Sequence, residues 1–136
     1  MTKKEINTLA YTVIGAAIEV HKELGPGLLE SIYEKCMIHI LTRKGLKVTS
    51  QQKIPLIFQG LPLDCDLRYD ILVENEIIVE IKAVEVILPV HQAQLLTYLK
   101  LLDKSKGLLI NFNCINIFKE GQKAMVTPKF ATLSEE

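Results

Sequence analysis

Three ionisable residues interrupt an apolar stretch in the middle of the sequence, YDILVENEIIVEIKA at positions 69–83. They are Asp70, Glu80 and Lys82. Because side chains alternate along a β-strand, Glu80 and Lys82 lie on the same face of any strand that contains both. Carboxylates beside an ammonium group can hold a hard cation and activate a water molecule. This chemistry requires that the fold also bring Asp70 to the other two residues.

The length of the turn between the two predicted strands decides where Asp70 lies. A two-residue turn would pair Asp70 with Val79 and separate the three residues. A three-residue turn at positions 74–76 would set Asp70 opposite Glu80, with their β-carbons about 5 Å apart. Asn75 tolerates the unusual backbone conformation that such turns often need. We therefore predict the three-residue turn.

Two ionised carboxylates at this separation repel each other, and burial increases the cost unless a cation lies between them. Lys82 supplies one positive charge, and a divalent ion would supply more. Oxygen ligands without thiolates or paired imidazoles favour Mg²⁺ or Mn²⁺ over zinc. The alternative is a solvent-exposed face on which the three residues form cross-strand ion pairs, contributing roughly a few tenths of a kcal/mol.

Polar residues on two predicted helices favour the metal site over the exposed face. Gln94 and Tyr98 are four residues apart and His91 is three before Gln94, on a side that also carries leucines. A buried glutamine or tyrosine needs hydrogen-bond partners, which a helix packed over the charged face would find. His91 could equally be an ordinary core histidine. Glu30 borders the apolar stripe of its helix and could be a ligand or a first-turn acid that favours the helix dipole.

Composition limits the classes of protein that this chain can belong to. With 136 residues, of which 49% are hydrophobic, the chain is expected to form one domain spanning 1–136. A formal net charge of +0 excludes a strong overall attraction to nucleic acid or anionic membranes, so polyanion binding would need a local patch. The three cysteines have no metal-binding spacing, which predicts buried, reduced thiols in a cytoplasmic protein. The N-terminal apolar run is too interrupted for a signal peptide or membrane span.

Hydrophobic spacing predicts the elements that must position these groups. One amphipathic helix is expected from Lys4 to Leu24, and a second from Pro26 until Gly45. Three strands follow in a meander, the first placed at an edge by Pro55. A third helix is expected from Pro89 to Leu102, then the strand LLINFN, and the tail from Gly121 could add another strand. The order α-α-β-β-β-α-β predicts a mixed α/β or α+β fold, with helices flanking a central sheet.

Several separated blocks of the sequence resemble the GxxExxY protein family. The signature itself is GLLESIY at positions 27–33, and similar blocks are VIGAAIEVHKELGPG, LRYDILV, VEIKAVE, PVHQAQLLTYL and GLLINFN. Together they span roughly positions 13–113 in the family's order. The resemblance implies membership of the PD-(D/E)XK nuclease superfamily and a restriction-endonuclease-like core, a mixed sheet flanked by helices. One departure is that Tyr69 replaces the proline that names the superfamily.

The resemblance also implies roles for individual residues. An Asp on one strand and a (D/E)-x-K on the next correspond to Asp70, Glu80 and Lys82, while Glu30 matches a helical glutamate and Gln94 with Tyr98 a Q-x-x-x-Y helix. The implied metal ligands are Asp70, Glu80, Glu30 and the carbonyl of Ile81. The implied catalytic residues are Lys82, expected to be charged, with Glu30, Gln94 and Tyr98. We add Arg68, on the same face as Asp70, and His91 as candidate substrate-binding residues, with a surface ion pair as the alternative for Arg68.

The function expected from the resemblance is Mg²⁺- or Mn²⁺-dependent hydrolysis of phosphodiester bonds in DNA or RNA. The alternative is a catalytically silent nuclease fold that serves as a binding or scaffold domain in a larger complex, which the near-neutral charge favours slightly. A third class is a structural partner, including a homodimer. An exposed apolar edge near Ile54–Phe58 is where such a contact is expected.

Overall fold

A computed structural model describes residues 1–136. The first helix, α1, spans Lys3–Leu24 and buries one apolar face. Thr2 begins it with a capping box, since its side chain accepts a hydrogen bond from the Glu5 backbone N–H and the Glu5 carboxylate accepts one from Thr2. The predicted end is confirmed, because Gly25 adopts a positive φ of 67° that most residues avoid.

The second helix, α2, spans Glu30–Arg43, so its predicted start at Pro26 is wrong by four residues. Pro26 lies instead in a loop closed by the side chain of Tyr33, which is fully buried. The Tyr33 hydroxyl donates to the carbonyl of Gly25 over 2.6 Å and accepts from the backbone N–H of Leu28 over 3.1 Å. These bonds hold residues 25–28 in an irregular conformation ahead of the helix.

Seven strands and two further helices complete the chain. The elements are β1 Val48–Ser50, β2 Leu56–Phe58, β3 Leu61–Leu63, β4 Ile71–Val73, β5 Ile77–Lys82, α3 Pro89–Leu101, β6 Lys106–Asn111, a π-helical turn Ile117–Gly121, β7 Gln122–Val126 and α4 Pro128–Ala131. A five-stranded mixed sheet has the order β1-β4-β5-β6-β7, in which only β5 and β6 run parallel. The expected mixed fold with flanking helices is therefore confirmed, although it has more strands than the sequence pattern indicated.

Strands β2 and β3 do not continue the predicted meander. They pair only with each other and form a separate hairpin, inserted between β1 and β4, that we call the hairpin arm (residues 52–69). The arm is tied together near its base by a bridge between Lys53 and Arg68. Its base therefore joins the central sheet where β1 ends and β4 begins.

The predicted turn between β4 and β5 is confirmed. Residues 74–76 form the turn and Val73 pairs with Ile77, which continues the ladder to Ile71 opposite Val79. Asn75 has a φ of 56°, as expected for a turn of this kind, and Glu74 has a φ of 52°. The next opposed pair in this register is Asp70 and Glu80.

The two faces of the sheet are covered by different helices. Helices α1 and α2 pack on one face over the larger apolar cluster, which includes Val79 and Ile81 of β5. Helix α3 packs on the other face over a smaller cluster that includes Ile78. Because Glu80 follows the same alternation as Ile78, it lies on the side covered by α3.

The exposed apolar edge expected near Ile54–Phe58 does not include Ile54. Ile54 is 2% exposed and belongs to the cluster beneath α3. The exposed apolar side chains lie further along the hairpin arm, where Ile57, Phe58 and Leu61 are each more than half exposed. The contact surface expected there is displaced toward the tip of the arm.

The cysteines are free thiols, as predicted, but they are less buried than predicted. Cys36, Cys65 and Cys114 are all free, but each is only partly buried. Every helix of the chain is too short or too polar to cross a lipid bilayer.

Candidate active site

Asp70 and Glu80 interlock at the point where the β4–β5 ladder ends. The Glu80 carboxylate accepts a hydrogen bond at Oε2 from the backbone N–H of Asp70 over 2.7 Å. The Asp70 carboxylate accepts one at Oδ2 from the backbone N–H of Ile81 over 2.8 Å. Each carboxylate thus takes the place of a backbone carbonyl on the opposite strand, which fixes both side chains relative to the sheet.

Burial disfavours the ionised form of both carboxyl groups. Glu80 is only 4% exposed. Desolvation, followed by repulsion from Asp70, raises its pKa to about 8. Burial also raises the pKa of Asp70, although the Ile81 hydrogen bond opposes the change. A nearby positive charge would favour ionisation of both carboxyl groups.

Lys82 supplies part of that charge from the same face of β5. Its ammonium lowers the pKa values of Asp70 and Glu80 through space, but burial outweighs its effect on both. Lys82 is half-buried and forms no direct ion pair with either carboxylate. The site therefore holds a nearby, unpaired cation and two carboxyl groups that it does not neutralise.

Glu30 approaches the end of β5 from the first turn of α2. Its Oε2 accepts a hydrogen bond from the backbone N–H of Ala83 over 3.0 Å. The negative charge of Glu30 is also close enough to raise the pKa of Asp70. Glu30 thus lies beside the interlocked pair while remaining solvent-exposed, with its other oxygen free.

The two residues of the Q-x-x-x-Y pattern meet on α3. The side-chain amide of Gln94 donates to the Tyr98 hydroxyl over 3.0 Å. Burial raises the pKa of Tyr98, and the charge of Glu80 raises it further, which places this hydroxyl near the carboxylate pair. Tyr98 is buried as expected, whereas Gln94 is exposed.

The candidate substrate-binding residues have other partners in this structure. Arg68 forms an ion pair with Asp66 over 2.7 Å, the alternative expected for it, and donates to the carbonyl of Gln51 over 2.8 Å. His91 accepts a hydrogen bond at Nδ1 from the backbone N–H of Leu88 over 3.0 Å and so caps the start of α3. The core role considered for His91 is absent, and contact of either residue with a substrate stays a prediction.

Two polar residues that the sequence patterns did not indicate join the site. The side-chain amide of Gln51 donates to Oε1 of Glu34 over 2.9 Å and to Oδ1 of Asp70 over 3.2 Å. Burial and the charge of Asp70 raise the pKa of Glu34. The spacing of Glu34, one helical turn after Glu30, was a signal that could have identified it.

The donor chemistry of the site suits a hard divalent cation. Both Asp70 and Glu80 accept a backbone hydrogen bond at one oxygen only, and Oε1 of Glu80 accepts none from the protein. Carboxylate oxygens are the ligands that Mg²⁺ and Mn²⁺ prefer. No three or more His, Cys, Asp or Glu side chains converge closely enough to surround an ion in this conformation. The interlocked pair is thus a partial ligand set.

Residues 7–124 match the family model of the PD-(D/E)XK nuclease superfamily. The chain belongs to this superfamily. Searches of curated proteins and of solved structures gave no match. Members of the superfamily generally depend on divalent metal ions and act on nucleic acid.

The residue directly before Asp70 is buried and bonded to a neighbouring strand. Tyr69 is 4% exposed and packs in the cluster beneath α3. Its hydroxyl shares a 2.7 Å hydrogen bond with Oγ1 of Thr49 on β1. Tyr69 therefore anchors the backbone directly before Asp70.

Proposed function

We propose that this chain is a Mg²⁺- or Mn²⁺-dependent nuclease that hydrolyses phosphodiester bonds in DNA or RNA, and that residues 1–136 form one such domain. The observation that carries the proposal is the interlocked pair of Asp70 and Glu80 beside Lys82, in a chain of this superfamily. A structural ion pair would neutralise its charges, whereas this pair retains a carboxyl group with a pKa of about 8. The three free thiols accord with the reducing cytoplasm expected from the sequence.

Asp70, Glu80 and the Ile81 carbonyl would hold the cation, with Glu30 contributing directly or through water. The bound ion would lower the pKa of a coordinated water and stabilise negative charge on the phosphate. The Lys82 ammonium would orient the attacking water or stabilise the same negative charge. Gln94 would orient the Tyr98 hydroxyl, which feels the charge of Glu80, through their shared hydrogen bond.

We further propose that the chain is a GxxExxY-type member, because each residue of that signature has a definable task. Gly27 has a φ of 102°, which strongly favours glycine. Glu30 bonds the backbone at the end of β5. Tyr33 closes the loop before α2 and stacks on Phe112 with ring centroids 4.3 Å apart. The signature thus supports both the loop and the placement of a carboxylate at the site.

The experiment is a cleavage assay on mixed single- and double-stranded DNA and RNA, with Mg²⁺ or Mn²⁺ and with chelator. We expect Asp70→Asn and Lys82→Met each to reduce the cleavage rate about 100-fold or more, because each removes charge that acts on the reacting phosphate or its water. Asp64→Asn and Lys123→Met are matched controls on exposed residues and should cleave like the wild type. Cleavage that survives both site substitutions would exclude this site.

A second candidate function is a catalytically silent scaffold, favoured by the apolar tip of the hairpin arm. Ile57, Phe58 and Leu61 are 63%, 60% and 58% exposed, which is unusual for large apolar residues so close together in the chain. The expected homodimer would use this tip and stays a prediction. Calorimetric Mn²⁺ titration followed by the cleavage assay separates the two functions, because a scaffold cleaves none of the nucleic acids whether or not it binds the ion.

A further inference from the structure

Gln51 has a strained backbone at the junction between β1 and the hairpin arm. Its φ is 53°, in the left-handed region that residues other than glycine, asparagine and aspartate seldom occupy. Such strain persists only where surrounding contacts hold it, and it is concentrated at functional sites. The contacts of Gln51 therefore indicate what the strained conformation achieves.

The backbone of Gln51 is bonded to the other end of the arm. Its N–H donates to the carbonyls of Tyr69 and Asp70, both over 3.1 Å. Its carbonyl accepts from the guanidinium of Arg68 over 2.8 Å. Three consecutive residues that lead into β4 thus hold Gln51 in place, although its side chain lies at the surface.

The strained conformation directs the side-chain amide of Gln51 between two carboxylates. Its Nε2 donates 2.9 Å to Oε1 of Glu34 and 3.2 Å to Oδ1 of Asp70. The other oxygen of Asp70 is already bonded to the Ile81 N–H. Gln51 is therefore the group that fixes the second oxygen of Asp70 and prevents the carboxylate from turning about its own axis.

We propose that Gln51 is a positioning residue for the metal-binding carboxylate of Asp70, and that Arg68 and the base of the hairpin arm hold Gln51 in place for this task. The inference rests on the proposed function and adds to it. It connects Asp70 to α2 through Glu34, so that helix, arm and sheet jointly set the direction of one carboxylate. Residues that orient metal ligands typically contribute about 10- to 100-fold to metal affinity or activity.

Gln51→Asn tests the proposal without disturbing the backbone. Asparagine tolerates a positive φ better than glutamine does, and its shorter side chain does not span the distance between Glu34 and Asp70. We expect Mn²⁺ affinity, measured by electron paramagnetic resonance, to fall about 10- to 100-fold, while the urea midpoint of the metal-free protein is retained. With substrate, the loss should appear in kcat more than in KM.

The matched control is Gln52→Asn, since the amide of Gln52 bonds only the Ser50 carbonyl. In chelator, Gln51→Asn should also accelerate hydrogen exchange of the Ile81 amide, which is bonded to Asp70, and Gln52→Asn should not. Gln51→Gly repeats the test if the Asn variant is unstable. Unchanged Ile81 exchange and Mn²⁺ affinity in both Gln51 variants would overturn the proposal. Wild-type protein that neither binds Mn²⁺ nor cleaves would refute the nuclease function, while the exchange measurement still decides the role of Gln51.

Discussion

Replacing Glu80 with glutamine removes a charge that the fold otherwise has to bury. The side chain is 4% exposed, and its pKa rises from 4.5 to about 8 because of desolvation and repulsion from Asp70. A carboxyl group that binds its proton more tightly in the folded state stabilises the fold while it is protonated. In the metal-free wild type, the contribution of Glu80 to stability should therefore be fully present below about pH 4.5 and should be lost as the pH rises through about 8.

The size of the effect follows from the two pKa values. A carboxyl group with a pKa of 4.5 in the unfolded chain and about 8 in the fold costs on the order of 3 kcal/mol at pH 7. This figure is a ceiling, because Asp70 shares the repulsion with Glu80. Glutamine retains an oxygen that can accept the Asp70 N–H and carries no charge. Glu80→Gln should thus stabilise the metal-free protein by about 1–3 kcal/mol at neutral pH.

The assay is urea denaturation in chelator at several pH values between about 5 and 8.5. The free energy of unfolding of the wild type should fall with rising pH more steeply than that of Glu80→Gln. Glu85→Gln, a change of the same type on an exposed side chain, should follow the wild type. Equal pH dependence in the wild type and Glu80→Gln would show that Glu80 is not buried beside Asp70. Added Mg²⁺ should stabilise the wild type and leave Glu80→Gln almost unchanged.

Two further substitutions test the framework that carries the site. Tyr33→Phe should lower the free energy of unfolding in urea by about 1–3 kcal/mol, because it leaves the Leu28 N–H and the Gly25 carbonyl without their partner. An unchanged free energy of unfolding would contradict the role of the hydroxyl. Gly107→Ala should destabilise the fold by about 1–3 kcal/mol and lower Tm, because the added Cβ would lie 2.8 Å from Leu95 Cδ1 and 3.1 Å from the Ile78 carbonyl oxygen. An unchanged Tm would mean that α3 packs less tightly on the sheet than described.

Much of the central site could be predicted because it depends on local rules. The alternation of side chains places Glu80 and Lys82 together, and the asparagine in the β4–β5 turn favours the register that brings Asp70 opposite Glu80. Those rules act over a dozen residues. Helices α1, α2 and α3 could also be predicted, because their apolar spacing and the glycines and proline near their ends are features of the sequence itself.

The rest of the site depends on contacts between distant parts of the chain. Glu34 and Gln51 meet Asp70 only because α2 packs beside β1 and the end of β1 lies next to the start of β4, and no periodic pattern encodes that arrangement. The early start predicted for α2 failed for a similar reason, since the Tyr33 hydroxyl bonds backbone groups of the preceding loop. His91 was ambiguous because a histidine near a helix start can cap it as well as bind a ligand.

The three residues of the β4–β5 turn make the interlocked carboxylate pair sensitive to insertions and deletions. A gain or loss of one codon there would still leave two apolar strands able to form a hairpin, but a register shifted by one residue would turn Asp70 to the face opposite Glu80. Genetic drift could thus abolish the cluster without changing any of its members. Among descendants of such a gene, turn length at this position would separate lineages able to retain the carboxylate pair from those that keep only its framework.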